Sequence, residues 1–179
     1  FDVISAVGTV AEAMVIARAY DLRLIVSGGA QAHLLANELA AASEGVILGD
    51  SGVYSSDLRG GGDGWSAQGP AILSRAGVRV AFFGPGASRR AMPNGRLGGE
   101  PVLNSAWTFR NGVPEVEALK MATLNAAEMF DMGDRIGSIE VGKDADFVVL
   151  EGHPFDYRAL PQMVFIDGKV VSGELPERR

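Results

Sequence analysis

Short apolar runs alternate with helix-period stretches through the first half of the chain. Val3-Ile4-Ser5-Ala6-Val7 reads as a buried strand, and an Ala-rich pattern from about Val10 to Tyr20 reads as a helix. Thr9, with Glu12 three residues on, has the form of a capping box for that helix. Leu22 to Val26 is a second strand, closed by Ser27-Gly28-Gly29. A helix follows from about Ala30 to Ala42, with Leu34, Leu35, Leu39 and Ala42 predicted on its inner side. Gly45 to Leu48 is a third strand, Ala71 to Ala76 a helix, and Val78 to Phe83 a fourth strand that ends at Gly84-Pro85-Gly86.

Two polar, Gly-rich segments, 49–69 and 84 to about 101, interrupt this order and read as loops or insertions. The strongest helix signal spans Pro114 to Phe130. Pro114 suits the first turn, Glu115 and Glu117 sit where the helix dipole favours anions, and Val116, Leu119, Thr123, Ala126 and Phe130 recur at helical spacing. After Gly133 the pattern turns to strands. Ala145 to Leu150 and Met163 to Ile166 are strand-like, and Asp167-Gly168 turns the second into a hairpin continued by Val170 and Val171.

Strands alternating with helices indicate a parallel sheet with helical crossovers, here followed by a small antiparallel tail. The pattern alone leaves a doubly wound sheet and a barrel both open.

Composition narrows the function classes. Hydrophobic residues are 47% of the 179 positions and charged residues 21%, an ordinary globular balance. The absence of Cys excludes a disulfide scaffold, a Cys-held metal and a thiol nucleophile. The net charge is −6 and no Lys/Arg cluster stands out, so a nucleic-acid partner is not expected. No apolar run reaches the roughly 18 residues of a membrane helix, so no membrane partner is expected either. Phe1 opens directly into an apolar stretch, as in a chain cut from a longer one.

Few residues carry evident chemistry. Gly28-Gly29 lies between a strand and a helix but lacks the spacing of a phosphate-binding loop, so a tight turn is the simpler reading. His33 and His153 are the two histidines, far apart in sequence, whereas a catalytic zinc usually takes three protein ligands. Asp50, Asp57 and Asp63 could serve a hard cation but suit loop solvation better. Ser5, Ser27 and Ser51 lack a nucleophile-elbow context or a nearby histidine. Gly142-Lys143-Asp144-Ala145-Asp146 reads as a charged turn entering a strand. Trp65, Trp107 and Phe109 read as aromatics in or near loops, anchoring a core or lining a pocket.

The tail carries a resemblance. Glu117-Ala118-Leu119-Lys120-Met121-Ala122-Thr123-Leu124-Asn125-Ala126-Ala127 is similar to the last barrel helix of amidohydrolase-superfamily enzymes. Asp134 to Leu150 (DRIGSIEVGKDADFVVL) resembles their return to the β-domain, and Phe165-Ile166-Asp167-Gly168-Lys169-Val170-Val171 their final hairpin, most like the imidazolonepropionase branch. The resemblance implies an α/β fold: the C-terminal half of a (β/α)8 TIM-type barrel over residues 1–132, then C-terminal strands of a composite β-sandwich over 133–179. It also implies a zinc-dependent hydrolase with ligands at strand C-termini.

On that alignment the fifth-strand His falls near Ser5, the sixth-strand His at Gly28 and the eighth-strand Asp at Pro85, while the first-strand His-x-His pair lies upstream. Hydroxyl, hydrogen and pyrrolidine replace the ligands and the general base. The expectation is therefore a barrel that has lost its metal centre and holds no cofactor: a structural, regulatory or ligand-binding subunit, with Tyr54, Trp65 and Arg89 as contacts at the old mouth. The alternatives are an active hydrolase of C–N bonds in cyclic amides or amino-acid derivatives, with ligands supplied from upstream, and an unrelated binding module. Parallel strands want cover on both faces, so the N-terminal half of the barrel, as a separate chain or as residues preceding Phe1, is the expected partner, and the protein is expected to be an oligomer.

Overall fold

The computed structural model describes residues 7–29, 31–48, 66–82, 101–156 and 158–173. Its first helix, α1 (Val7–Ala19), keeps Val10, Ala13, Met14 and Ala17 on one buried stripe at helical spacing. The helix itself starts at Val7, three residues upstream of the predicted start. Val7 is thus helical rather than extended, and Thr9 stands inside the first turn instead of capping it. The Val3–Ala6 strand lies outside the described residues.

Three strands follow: β1 (Ile25–Ser27), β2 (Gly45–Leu48) and β3 (Val80–Phe82), paired parallel in the order β1-β2-β3. Val26 faces Val46, and Val46 faces Val80. Between β1 and β2, α2 starts as a 3-10 turn (Ala32–Leu35) and continues as an α-helix (Ala36–Ala42). It turns Ala32, Ala36 and Leu39 inward, while Leu34 is 61% exposed. The tighter opening turn rotates Leu34 off the predicted inner face. Crossing from β2 to β3, α3 (Gly69–Arg75) buries Ala71 and Leu73.

The sheet has two different faces. Val26, Val46, Leu48, Val80 and Phe82 join α1, α2 and α3 in the main core. Ile25, Ala81 and Met129 form a second cluster, with Ile47 and Ala126 packed against it. The inner face is therefore partly covered from within the chain, by the helix that carries Met129.

The segment predicted as one helix from Pro114 to Phe130 is two: α5 (Glu115–Ala122) and α6 (Leu124–Met129). They join at Thr123, whose φ of −137° and ψ of −92° are not helical and whose hydroxyl donates to the Leu119 carbonyl at 3.0 Å. The buried set is Ala118, Met121, Asn125, Ala127 and Met129, while Val116 ahead of the break and Phe130 beyond it are exposed. Asn125 is buried, and its Nδ2 donates to the Val80 carbonyl at 2.8 Å, tying α6 to β3. Asn125→Ala is expected to cost about 1–3 kcal/mol, read as a lower denaturant midpoint at unchanged slope.

A further helix, α4 (Pro101–Arg110), places Trp107 and Phe109 on helix rather than loop. It is inverted in polarity: Asn104, Ser105 and Thr108 are buried, whereas Val102, Leu103, Trp107 and Phe109 are exposed.

The tail is an antiparallel meander of β4 (Phe147–Leu150), β5 (Pro161–Ile166) and β6 (Lys169–Ser172). As predicted, Asp167-Gly168 forms the hairpin turn, with both residues at positive φ (49° and 71°). Phe147 and Phe165 stack across β4 and β5 with centroids 4.4 Å apart. Gly137 explains part of the preceding motif. Its φ is 93°, and a Cβ there would lie 2.8 Å from the Leu124 Cα, so the chain can pass α6 this closely only as glycine.

Candidate functional site

Parallel α/β sheets carry their ligands at the carboxyl ends of the strands, so the candidate site is where β1, β2 and β3 end. Ser27 ends β1 in register with Ile47, which is in register with Ala81. Two residues after Ile25, it shares the inner face with these apolar side chains and is 6% exposed.

Gly28 follows with φ 80°, and its N–H donates to the Ile47 carbonyl at 2.8 Å. An L side chain held in that left-handed region costs about 1–2 kcal/mol. A Cβ on Gly29 would come within 2.9 Å of the Ala32 Cβ. Gly28-Gly29 is thus the tight strand-to-helix turn of the simpler sequence reading, and its backbone demands glycine.

The two histidines lie elsewhere. His33 is in the opening turn of α2, against the start of α3: a Cβ on Gly69 would sit 3.4 Å from its Nδ1. His153 lies in the turn between β4 and β5, where its Nε2 is 2.9 Å from Glu115 Oε1. Zinc needs three or four His, Cys or carboxylate donors converging on one point. Among the described residues no group of three such side chains is placed to hold an ion, and Gly28 offers no side-chain donor. The described residues therefore do not fit a zinc centre. Ser5, Asp50, Ser51, Tyr54, Asp57, Asp63, Trp65, Pro85 and Arg89 lie outside the described residues.

Charge collects at the opposite end of the sheet. Arg23, just before β1, pairs with Glu44 at 3.3 Å and with Asp131, and Arg79, just before β3, pairs with Glu44 at 3.7 Å and Glu128 at 2.9 Å. These side chains are partly exposed, so each pair is worth little alone. The belt joins the strand entrances to the end of α6 and is structural.

The charged turn before β4 is also structural. Lys143 pairs with Glu140 at 3.1 Å, Arg135 with Asp144 at 2.8 Å, and Asp146 accepts the Asp167 N–H at 2.8 Å.

Two features were not foreseen in the sequence. The Asn104 side-chain amide and the Ser105 hydroxyl are fully buried and find no hydrogen-bond partner among the described residues. The His153–Glu115 contact joins residues 38 apart, and no local spacing signals it.

In the same turn, Asp156 accepts from the side chain and backbone N–H of Arg158, which pulls its carboxyl down to about 2. A lowered carboxyl favours the folded loop above the ordinary value near 3.9, and that contribution is lost as pH falls through about 2. Arg158→Ala is expected to return Asp156 toward about 3.9 in a carboxyl NMR titration.

Comparison with known proteins converges on one group. A family model described as "Amidohydrolase family" matches residues 74–171, more than half of the chain. A 5-methylthioadenosine/S-adenosylhomocysteine deaminase of Symbiobacterium thermophilum is 32% identical over 121 residues, 56% of this chain and 28% of that protein. An imidazolonepropionase of Desulfotalea psychrophila is 56% identical over 54 residues, 30% of this chain and 12% of that protein.

Among solved structures, an amidohydrolase from Thermotoga maritima MSB8 matches with a TM-score of 0.78 and 29% identity over 96% of this chain and 43% of its own. An adenosine deaminase from Xanthomonas campestris, with bound zinc, shares the fold at a TM-score of 0.60 and 21% identity, over 98% of this chain and 46% of its own. The chain spans under half the length of each of these relatives.

Proposed function

The chain belongs to the amidohydrolase family, and on that premise we propose that it is the C-terminal part of an amidohydrolase-like protein whose metal site has degenerated, acting as a non-catalytic structural, regulatory or ligand-binding subunit. Residues 1–132 form the second half of the barrel and 133–179 the C-terminal strands of the β-sandwich. The observation that supports the reading is Gly28, the position the resemblance assigns to the sixth-strand ligand, which is a left-handed glycine whose N–H is already used in the sheet. The aligned Ser5 and Pro85 add two further poor donors. The mouth then serves ligand contact, with Tyr54, Trp65 and Arg89 as the proposed contacts.

The partner is the N-terminal half of the barrel. Among the described residues, β1 and β3 each have one strand neighbour, and each flank carries exposed apolar helix residues: Val15 and Ile16 on α1, Val102 and Leu103 on α4. Both flanks want cover, as expected of half a closed barrel.

A second reading, a working hydrolase of C–N bonds, is favoured by the deaminase and imidazolonepropionase relatives and requires ligands from residues preceding Phe1 or from a partner. Turnover separates the two. The full-length protein, assayed with added zinc against cyclic amides, N-acyl amino acids and aminopurines, is expected to show none above the uncatalysed rate. Turnover that chelation abolishes would establish the second reading.

A further inference from the structure

His153 makes two contacts of opposite sense. Phe155 N–H donates to its Nδ1 at 3.1 Å, and its Nε2 lies 2.9 Å from Glu115 Oε1, at the first residue of α5. A ring that accepts at Nδ1 while its Nε2 faces a carboxylate is the neutral tautomer with the proton on Nε2. Phe155 extends the contact. Its ring meets the edge of His153 at 5.3 Å and packs on Phe109 of α4 at 5.6 Å, and it leans against the main core. The β4–β5 loop is thereby strapped across the ends of α4 and α5.

We propose that this strap is a proton-responsive device in which the neutral His153 ring closes the loop and its protonation releases Phe155 N–H. In the imidazolium both nitrogens carry a proton, so Nδ1 can no longer accept, while the Nε2 contact to Glu115 becomes an ion pair. Charged groups around the ring are Glu115 from α5 and, within the loop, Asp156 with its partner Arg158; α4 presents Phe109. Asp156 is held ionised down to about 2 by Arg158, so its charge stays fixed while the ring takes up a proton. Acidification therefore shifts the ring toward Glu115 and frees the turn that seats Phe155.

Amide hydrogen exchange on the full-length protein, expressed as protection factors at pH 7.5 and 5.5, tests this. The Phe155 amide is expected to lose about fivefold protection at the lower pH, the size of one hydrogen bond, while amides of β1–β3 hold theirs. His153→Asn keeps an acceptor at the Nδ1 position that does not titrate, and is expected to protect Phe155 equally at both pH values. His153→Gln can still reach Glu115 but lacks that acceptor, and is expected to expose Phe155 at both. Equal wild-type protection at the two pH values, an Asn variant that still responds, loss spread equally over β1–β3, or a ring shown by nitrogen NMR to carry its neutral proton on Nδ1 would each overturn the proposal.

Discussion

Purified alone, the 179-residue chain is expected to self-associate or aggregate instead of behaving as a monodisperse, cooperatively melting monomer. A parallel sheet keeps its strands dry by covering both faces and pairing its edges. Here α1, α2 and α3 cover one face, and Met129 with Ala126 covers part of the other. Among the described residues β1 and β3 end the sheet, with Val15 68% exposed on one flank and Leu103 48% exposed on the other. Apolar helix rows beside unpaired strand edges are sticky surfaces. Light scattering after size exclusion reads the outcome directly. Adding the N-terminal half should convert the material to one defined species, and a stable monomer of the chain by itself would contradict the half-barrel account.

Leu39→Ala is expected to be the most damaging of the conservative core substitutions, lowering the stability of the assembled protein by about 2–5 kcal/mol. Leu39 is fully buried in the main core, and the Ser43 hydroxyl and N–H both close the end of α2 on its carbonyl, at 2.8 and 2.9 Å. Truncation leaves a void between α2 and the sheet that close-packed neighbours cannot fill. The paired control is Leu34→Ala, on the same helix but 61% exposed, expected within about 0.5 kcal/mol of wild type. Chemical denaturation of both variants checks the contrast, and equal losses would mean that the inner face of α2 has been assigned wrongly.

The strands were legible where sequence and environment agreed. Gly45–Leu48 is a short apolar run that is buried in the middle of a parallel sheet, and Asp167-Gly168 is a turn whose chemistry forces its own geometry. Helix α4 was illegible for the converse reason. It buries Asn104, Ser105 and Thr108 and exposes Leu103 and Trp107, so a reading that turns apolar residues inward finds no helix there. The Pro114–Phe130 stripe failed on both sides of Thr123: Val116 is already exposed on α5, and beyond the non-helical Thr123 the buried positions are Asn125, Ala127 and Met129.

At the site, Gly28 could be picked out through the family resemblance, and the backbone supplies the physical reason for glycine. The family itself was readable from the tail, where Gly137 and the hairpin turn are fixed by close approach and positive φ. His153 and Glu115 were both visible as residues, but their pairing depends on how the β4–β5 loop returns to α5, which no local pattern encodes.

Zinc content of the full-length protein, including any residues that precede Phe1, tests the loss of the metal centre most directly. Mass spectrometry under native conditions, after expression in zinc-supplemented medium, is expected to give a zinc-to-protein ratio near zero and a melting temperature unmoved by chelator. One zinc per chain, removed by chelation together with a large fall in melting temperature, would show that the strand tips still hold an ion and that the degenerate-site reading is wrong.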